Sequence, residues 1–288
     1  MAKTCKYQKY QRFVSYDSGT TWQPLQEFQK GTLIETDSPD CGGGGGGSTI
    51  DRWVDGWLCD DCTLSKFLNV SSSATYSAEC DATSAITTAD ITHRTEISGS
   101  SIGSCVTSIG DGAYSGCTNL YRVNIPNTVT SIGKKAFSGC TSLMECGIPD
   151  SVRSIGESAF TNCTQLSYIT LPNGLEYLGS HAFENCLNFY NINIPSTLTS
   201  LPAYCFYNCD GLSDIEIPST IQVIGNYAFG YCSGLYNLTI YSMTPPTITT
   251  STFFNVNSNF KIFVPSEAVN TYKAADGWRT YSSKIFAI

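Results

Sequence analysis

Two histidines, one closely spaced cysteine pair and one carboxylate pair are the residues of this sequence that could do chemistry. Cys59 and Cys62 have the Cys-x-x-Cys spacing found in zinc sites and disulfides. Zinc needs four ligands, and only Cys41 and Cys80 could complete that set. For these residues and Cys5, zinc, one or two disulfides and simple thiols are all possible, and the missing second pair favours simple thiols.

The remaining candidates do not form a catalytic set. His93 and His181 are the only histidines, which excludes a metal centre built from several histidines. Asp214 and Glu216 are two positions apart, so on a strand they would face the same side and form an acidic spot on a binding surface. A general base needs a partner held within hydrogen-bonding reach, and the sequence predicts none. We therefore predict no enzyme, no cofactor and no metal.

Charge and hydropathy exclude two further classes of partner. The 288 residues include 16 Lys and Arg and 24 Asp and Glu, for a net charge of -8. Nucleic-acid binding proteins need clustered basic residues, which this composition does not supply. No segment approaches the ~18 consecutive apolar residues of a membrane span. The first ten residues lack the apolar run of a signal peptide.

An internal repeat of 23 residues dominates the rest of the sequence. Such a period is typical of a solenoid, in which each coil buries its apolar residues against its neighbours. Three repeat positions, here called columns, show the spacing most clearly: Cys117, Cys140, Cys163, Cys186, Cys209, Cys232; Ile109, Ile132, Ile155, Leu178, Leu201, Ile224; and Pro126, Pro149, Pro172, Pro195, Pro218.

The residue types of one unit predict the path of a coil. Val123 and Ile125 alternate as in a half-buried strand, and Pro126 ends it because proline has no N–H for a ladder bond. Ile132 re-enters the core on another wall, and Ala136-Phe137 place a small and a large side chain inside. We therefore predict a mainly parallel β-solenoid.

Nine cysteines belong to this pattern. Six form one column, while Cys146, Cys205 and Cys105 replace the strand Val/Ile, the small Ala and a Thr/Ser, respectively. Regular replacement of small residues predicts buried, free thiols rather than disulfides or metal ligands.

The segment Ile-Gly-x-x-Ala-Phe-x-x-Cys closely resembles the repeat of the bacterial surface-antigen, or BspA-like, leucine-rich repeat family. The resemblance covers about residues 83 to 288, including the end from Val264 to Lys273 with Trp278 beyond it. It implies a leucine-rich-repeat solenoid with an adhesive role. The usual Asn/Cys column instead holds Thr128, Ser151, Gly174, Thr197 and Thr220, so we expect hydroxyls or main chain to satisfy the turn rather than an asparagine ladder.

Fading of the repeat gives three domains: a small β-rich module over 1–82, the solenoid over 83–244 with one degenerate coil and six repeats, and a cap over 245–288. In the first, Ser15 to Trp22 resembles an Asp-box hairpin, with Asp17 and Gly19 in its turn, and Gly42–Gly47 forms a flexible loop.

The cap is predicted from its own residue pattern. A strand is expected from Lys261 to Pro265, followed by a short helix to Ala275 that Ser266 caps. Trp278, Tyr281 and Phe286 are expected to close the end of the core.

A binding surface is predicted on the outward strand positions, because solenoids bind along the surface that their strands form. Tyrosine with short polar neighbours is typical of adaptable recognition surfaces, although tyrosine also favours strands in general. The candidates are Tyr121, Arg122, Asn124, Glu145, Tyr168, Thr170, Tyr190, Asn191, Asn193, Asp214, Glu216, Tyr236, Asn237 and Thr239.

Two functions are consistent with these observations. The first is a non-catalytic recognition or adhesion protein, extracellular or at the cell surface, that binds a protein or glycan from a host or matrix. The second is a structural component of a bacteriophage particle, a fibre or decoration protein bound to other virion proteins. It is suggested by the natural-looking Met1 start without an export signal.

Overall fold

The computed structural model describes residues 106–288 continuously and, before them, Ile91, residues 94–95, residues 97–102 and seven short strands. From Ala74 onward the described residues form the predicted parallel β-solenoid, whose coils repeat every 23 residues. Each coil contributes a strand to a first ladder, a shorter strand to a second ladder, and a six-residue turn.

The first ladder carries the tyrosine-rich positions. Arg122 pairs with Glu145 and Asp214 with Asn237, so each residue lies beside its counterpart 23 positions away. Single bridges continue the first strand group from Glu145 to Tyr168 and from Tyr168 to Asn191. Its strands are Ala74–Ala78, Ile97–Ile102, Arg122–Asn124, Glu145–Gly147, Asp214–Ile217, Asn237–Ile240, Lys261–Val264 and Ile285–Ala287.

The second ladder lies on another wall of the coil and begins each return of the chain to the core. Its strands are Ser84–Ile86, Val106–Ile109, Ser131–Ile132, Ser154–Ile155 and Tyr177–Leu178, followed by the separate pair Ser200–Leu201 and Val223–Ile224. Val223 then bridges Thr247, a step of 24 residues that marks the end of the strict period.

Stacked turns form the third side of the coil, called here the turn face, at residues 111–116, 134–139, 157–162, 180–185, 203–208, 226–231 and 250–255. Successive turns are joined by backbone bonds, such as those from the Gly112 and Tyr114 amides to the Lys134 and Ala136 carbonyls, both at 2.7 Å.

The core lies between these three sides and consists of identical side chains stacked above one another. Phe137, Phe160 and Phe183 are buried and stack at ring-centroid distances of 5.1 and 5.3 Å with nearly parallel planes. Tyr114 begins this column, and its hydroxyl has a buried partner in Ser100 Oγ at 2.8 Å. The predicted interior is therefore confirmed.

The cysteines of the repeat are buried as predicted. The eight described ones, from Cys117 to Cys232, are unbridged, and Cys105 lies outside the described residues. Burial raises the pKa of the Cys146 thiol to about 12. The Cys163 and Cys186 thiols donate to the Phe137 and Phe160 carbonyls at 3.2 and 3.3 Å. The column thus needs a small apolar side chain that also donates a hydrogen bond.

Hydroxyls replace the asparagine column of other leucine-rich repeats, as expected. Thr128 Oγ1 donates to the Val106 carbonyl at 2.7 Å, and Ser151 Oγ donates to the Val129 carbonyl at 2.6 Å. Asparagine instead forms a ladder in the turns, where Asn185 donates to Asn162 at 2.7 Å and Asn208 donates to Asn185 at 2.9 Å.

The C-terminal cap agrees with the sequence in part. The strand Lys261–Val264 is present, followed by the 3₁₀ turn Ser266–Ala268, the α-helix Val269–Ala274 and the 3₁₀ segment Trp278–Lys284. The prediction that Ser266 caps the helix is wrong, because the turn begins after Pro265 and has no side-chain cap.

The predicted closure of the core also needs one correction. Trp278 is buried and donates to the Pro246 carbonyl at 2.7 Å, and Tyr281 is partly buried. Phe286 does not close the core: it is 43% exposed, because its neighbour Ile285 takes the inward position of the last strand.

Two small antiparallel sheets are described before residue 74. Cys5–Tyr7 pairs with Glu35–Thr36 and Trp57–Cys59, and Phe13–Ser15 pairs with Trp22–Pro24. Asp17, Gly19, the glycine run, Cys41, Cys62, Cys80 and His93 lie outside the described residues, as do the side chains of Cys5 and Cys59. The Asp-box and the state of these cysteines therefore stay predictions, as does the boundary at 83, although Ala74–Ala78 already pairs with the first ladder.

Candidate functional site

The candidate site is the outer surface of the first ladder, called here the strand face. Tyr121, Tyr168, Tyr190 and Tyr236 are between 46% and 54% exposed on it, while Val123, Ile169 and Ile192 point inward. The other candidates also point outward; among them Asn237 and Thr239 are half-buried. The period of two along each strand explains why the sequence predicted which residues point outward, while their role in binding stays a prediction.

Tyr168 and Tyr190 form the centre of the face. They lie on adjacent coils, with ring centroids 6.5 Å apart and planes inclined by 26°. The Tyr168 hydroxyl also accepts a bond from Thr170 Oγ1 at 2.8 Å. The two rings thus form one exposed aromatic patch.

A depression of about 650 Å³ adjoins this patch. Its wall combines tyrosine rings with carboxylates and amides, and it continues the patch toward the later coils. The residues around it are Tyr190, Asn191, Ile192, Asn193, Ile194, Ser213, Asp214, Glu216, Pro218 and Tyr241.

Asp214 and Glu216 provide the negative charge of the depression. Hydrogen bonds from Ser213 and Asn237 lower the pKa of the Asp214 carboxyl, with donor–acceptor distances of 2.6 and 2.7 Å. Burial and then a hydrogen bond to Glu216 raise the pKa of Tyr241. The Asp214 carboxylate is thus paired with neutral donors, which leaves its charge available to a ligand.

Asn193 has a different role from its neighbours. Its side-chain Oδ1 accepts from the Leu171 amide at 3.0 Å, and its Nδ2 donates to the Leu171 carbonyl at 2.9 Å. The first ladder has only single bridges in this region, so this amide replaces missing backbone bonds. Asn193 thus holds two adjacent coils together, and its side-chain amide is not available to a ligand.

Tyr241 and Pro218 border the depression although sequence reasoning did not select them. Pro218 belongs to the column that ends each strand, and Tyr241 holds the equivalent position one coil later. Tyr241 is 46% exposed, and this departure from proline is the signal that could have identified it.

His181 lies in a turn, as its column predicts, but it has defined contacts. Its Nδ1 is 2.8 Å from Glu184 Oε2, and its ring stacks on Tyr204 at 4.7 Å. Across the part of the chain that the structure describes, no group of three or more His, Cys, Asp and Glu could hold a metal. No helix among these residues is long and apolar enough to cross a bilayer.

Comparison with known proteins places the solenoid among bacterial leucine-rich repeats. Residues 89–213 and 199–275 match the model of the BspA type leucine rich repeat region, in six copies. A search of curated proteins found no match.

Solved structures with the same fold come from several bacteria. A leucine rich cell surface protein from Faecalibacterium prausnitzii is 26% identical, with a TM-score of 0.56 over 67% of this chain and 54% of that one. This chain thus spans about half the length of that relative. The leucine-rich repeat protein of T. pallidum is 25% identical, with a TM-score of 0.51 over 66% and 86% of the two chains. One from Bacteroides ovatus, at 19% identity with a TM-score of 0.50 over 72% and 66%, shares the fold.

Proposed function

The chain belongs to the BspA-type leucine-rich repeat family, and from that premise we propose that it is a non-catalytic recognition or adhesion protein. It acts outside the cell or at the cell surface and binds a protein or glycan through its strand face. The family and fold are typically non-catalytic, and one structural neighbour is named as a cell surface protein.

The pair Tyr168 and Tyr190 is the observation that carries this proposal. The core is complete without these rings, since Ile169 and Ile192 supply the inward contacts of the same coils. Two neighbouring tyrosines that project from the core, 6.5 Å apart and beside a depression, support a role in binding. Aromatic side chains are the residues that most often dominate binding energy in protein interfaces.

The remainder of the face suits adaptable polar recognition. Asn191 is exposed beside Tyr190, while the Asp214 and Glu216 carboxylates line the depression. Tyrosine supplies a rigid contact surface at low entropy cost, and short amides and hydroxyls supply hydrogen bonds. Hydroxyl-rich glycans and polar protein surfaces both match this composition.

The test is the double substitution Tyr168→Ala and Tyr190→Ala. Each central aromatic anchor typically contributes over ~2 kcal/mol, so loss of both is expected to weaken binding by roughly three decades. Surface plasmon resonance against a panel of matrix proteins and glycans measures this, with circular dichroism as the check of folding.

Tyr177→Ala is the matched control. This tyrosine is 56% exposed but belongs to the second ladder, away from the strand face. Binding should survive its removal. If Tyr177→Ala loses binding and the double variant keeps it, recognition lies on the side of the second ladder and the proposal is rejected.

A further inference from the structure

We propose that the turn face of the later coils is a second binding surface, and that it takes a basic segment of a partner protein through arginine or lysine side chains. It consists of His181, Tyr204, Tyr207, Tyr227, Tyr231 and Phe254, called here the aromatic turn cluster. This surface is separate from the strand face and independent of the function proposed above.

The rings of the cluster are in continuous contact. Tyr204 lies between His181 and Tyr227, at centroid distances of 4.7 and 5.1 Å and with nearly parallel planes. Tyr207 contacts Tyr204 and Tyr231, both at 5.3 Å, and its plane is inclined by 57° and 62° to theirs. Such inclined rings cannot cover one another's faces completely.

Phe254 closes the other end of the cluster. Its ring is inclined by 69° to Tyr227 and by 55° to Tyr231, at 5.8 and 5.5 Å. Phe254 is 47% exposed and Tyr231 is 37% exposed. The rings are thus packed against one another and still reach solvent.

The backbone indicates that the fold does not require aromatic residues here. Tyr204, Tyr227 and Tyr231 have φ values of 58°, 51° and 60°. This left-handed conformation costs ~1–2 kcal/mol for a residue with a Cβ, least for Asn and Asp. The same two columns hold Ser158 and Asn162 in an earlier coil. Since the turn keeps this conformation with serine or asparagine as well, the aromatic side chains are not there to satisfy the backbone.

Gly230 is a second observation that distinguishes this turn, because only a glycine leaves enough space for the rings beside it. It follows Tyr207 in the same column, where earlier coils have a side chain. A Cβ at Gly230 would lie 2.8 Å from Tyr227 Cδ1 and 3.2 Å from Tyr207 Cδ2. The missing side chain makes room for these two rings.

Charge identifies the partner. Between Arg153 and Lys261 the sequence contains no Lys or Arg. Six carboxylates lie in the same stretch: Glu157, Glu176, Glu184, Asp210, Asp214 and Glu216. This excess of negative charge attracts a cationic segment and repels an anionic one.

Glu184 brings part of that charge to the cluster itself. It lies 2.8 Å from His181 Nδ1, and its side chain is 23% exposed. Burial, then the neighbouring Tyr231 and Glu184, raise the pKa of Tyr207. Aromatic faces together with a carboxylate form the chemistry that binds ammonium and guanidinium groups.

A glycan fits this surface less well than a cation. His181 and Tyr227 cover both faces of Tyr204, so the rings open to a ligand are the inclined ones, Tyr207, Tyr231 and Phe254. The Glu184 carboxylate accepts hydrogen bonds and donates none, and the tyrosine hydroxyls can also accept, which suits guanidinium with its five donors and no acceptor.

The test transplants the side chains of an earlier coil into the cluster. The variant combines Tyr204→Ser, Tyr207→Thr, Tyr227→Ser and Tyr231→Asn, which are the residues found at these columns in Ser158, Thr161 and Asn162. None of these changes alters a charge. Any binding that depends only on the net negative charge will therefore persist in the variant.

The probe is a fluorescein-labelled nine-arginine peptide, titrated with the full chain at low ionic strength and followed by fluorescence anisotropy. The same peptide with citrulline in place of arginine is the uncharged control. The unsubstituted protein should bind the arginine peptide and not the citrulline one. The four-residue variant should bind at least about tenfold more weakly, because each ring contributes a few-fold.

Two further variants locate the binding. Tyr168→Ala with Tyr190→Ala should leave peptide affinity unchanged, and Glu184→Gln should weaken it several-fold. If the four-residue variant does not fold, Tyr231→Asn alone should still lower affinity about twofold. Equal affinity of the four-residue variant and the unsubstituted protein for the arginine peptide would reject the proposal.

Discussion

The described coils before residue 154 and those between 154 and 260 have the same interior and different exteriors. Phe137 in the first group and Phe206 in the second are both fully buried in one aromatic column. Outside, the earlier coils have Arg122, Lys134 and Arg153, whereas the later coils have no Lys or Arg.

The turns make the same contrast at fixed backbone geometry. The left-handed positions hold Gly112 and Gly116 in one early turn, and Tyr227 and Tyr231 in one late turn. Because the backbone is the same, the difference is not a requirement of folding. Packing between coils determines the residue types of the interior columns. The residue types of the exterior columns are not restricted by packing and can vary with what the protein binds.

The largest expected effect tests whether the interior is the same in both groups. Phe137→Ala and Phe206→Ala should each cost ~3–5 kcal/mol of unfolding free energy, as buried aromatic truncations do. Phe160→Ala, between them, should cost as much, since its ring stacks on both sides at 5.1 and 5.3 Å. Urea unfolding measures these values. A cost under about 1 kcal/mol in either group contradicts a shared core.

The close approach of successive coils should cost less to disturb. A Cβ at Gly133 would lie 2.6 Å from Asp111 Oδ1, and one at Gly225 would lie 2.6 Å from the Ala203 amide nitrogen. Gly133→Ala and Gly225→Ala should each destabilise the protein by ~1–3 kcal/mol through overpacking. The control is Gly147→Ala, where a Cβ would meet nothing within 4 Å. A neutral result at both tight positions would mean that the coil spacing can relax.

A thiol-to-valine change tests the interior through its pH dependence. Cys146 has a pKa of about 12 because it is buried, and the same column holds Val123. An unfolded thiol ionises near pH ~8.5, so stability from the protonated folded thiol is full below that pH and is lost as the pH rises toward 12.

Cys146→Val removes this ionisation while nearly conserving volume. At pH 7 the variant and the unsubstituted protein should have the same free energy of unfolding. Between pH 7 and pH 10 the unsubstituted protein should lose ~1–2 kcal/mol more of it than the variant. Urea unfolding at the two pH values provides the measurement. Identical pH profiles for the two proteins would mean that the Cys146 thiol has the same pKa in the folded and unfolded states, so that burial does not raise it.

Exchange of one exterior column should have the smallest effect. Tyr231→Asn relieves left-handed strain and loses ring contacts, so its stability should change by less than ~1 kcal/mol. Asn162→Tyr places the same strain in an earlier coil without the neighbouring rings and should destabilise the protein by ~1 kcal/mol. Thermal unfolding of both variants measures the difference. A larger loss in Tyr231→Asn would make the aromatic turn cluster a stability element.

The sequence predicted the interior and the strand face because both follow from exact spacing. A period of 23 places like residues on adjacent coils, and alternation along a strand separates Tyr168 from Ile169. The hydroxyl column at Thr128 and Ser151 was predicted for the same reason, since most coils have a threonine or serine at this position.

The aromatic turn cluster was missed because its members do not share one column. Tyr204 and Tyr227 lie in one, Tyr207 in a second and Tyr231 in a third. A count of 23 places Phe254 in the column of Tyr231, but the step of 24 residues at Thr247 shifts it by one position. Gly116, Gly139, Asn162 and Asn185 in one column could have indicated a left-handed backbone and drawn attention to Tyr231.

In the part of the solenoid that the structure describes, hydrogen bonds reach no farther than the neighbouring coil, as with the 26-residue separation between Cys163 and the Phe137 carbonyl. Such a protein behaves as a one-dimensional chain of coupled units, in which order spreads from one coil to the next. Fraying then starts at the ends, where a coil has one neighbour instead of two. Trp278, fixed to the Pro246 carbonyl, slows that fraying at the C-terminal end. Amide hydrogen exchange should be slowest near Phe160 and quicken toward the first coils.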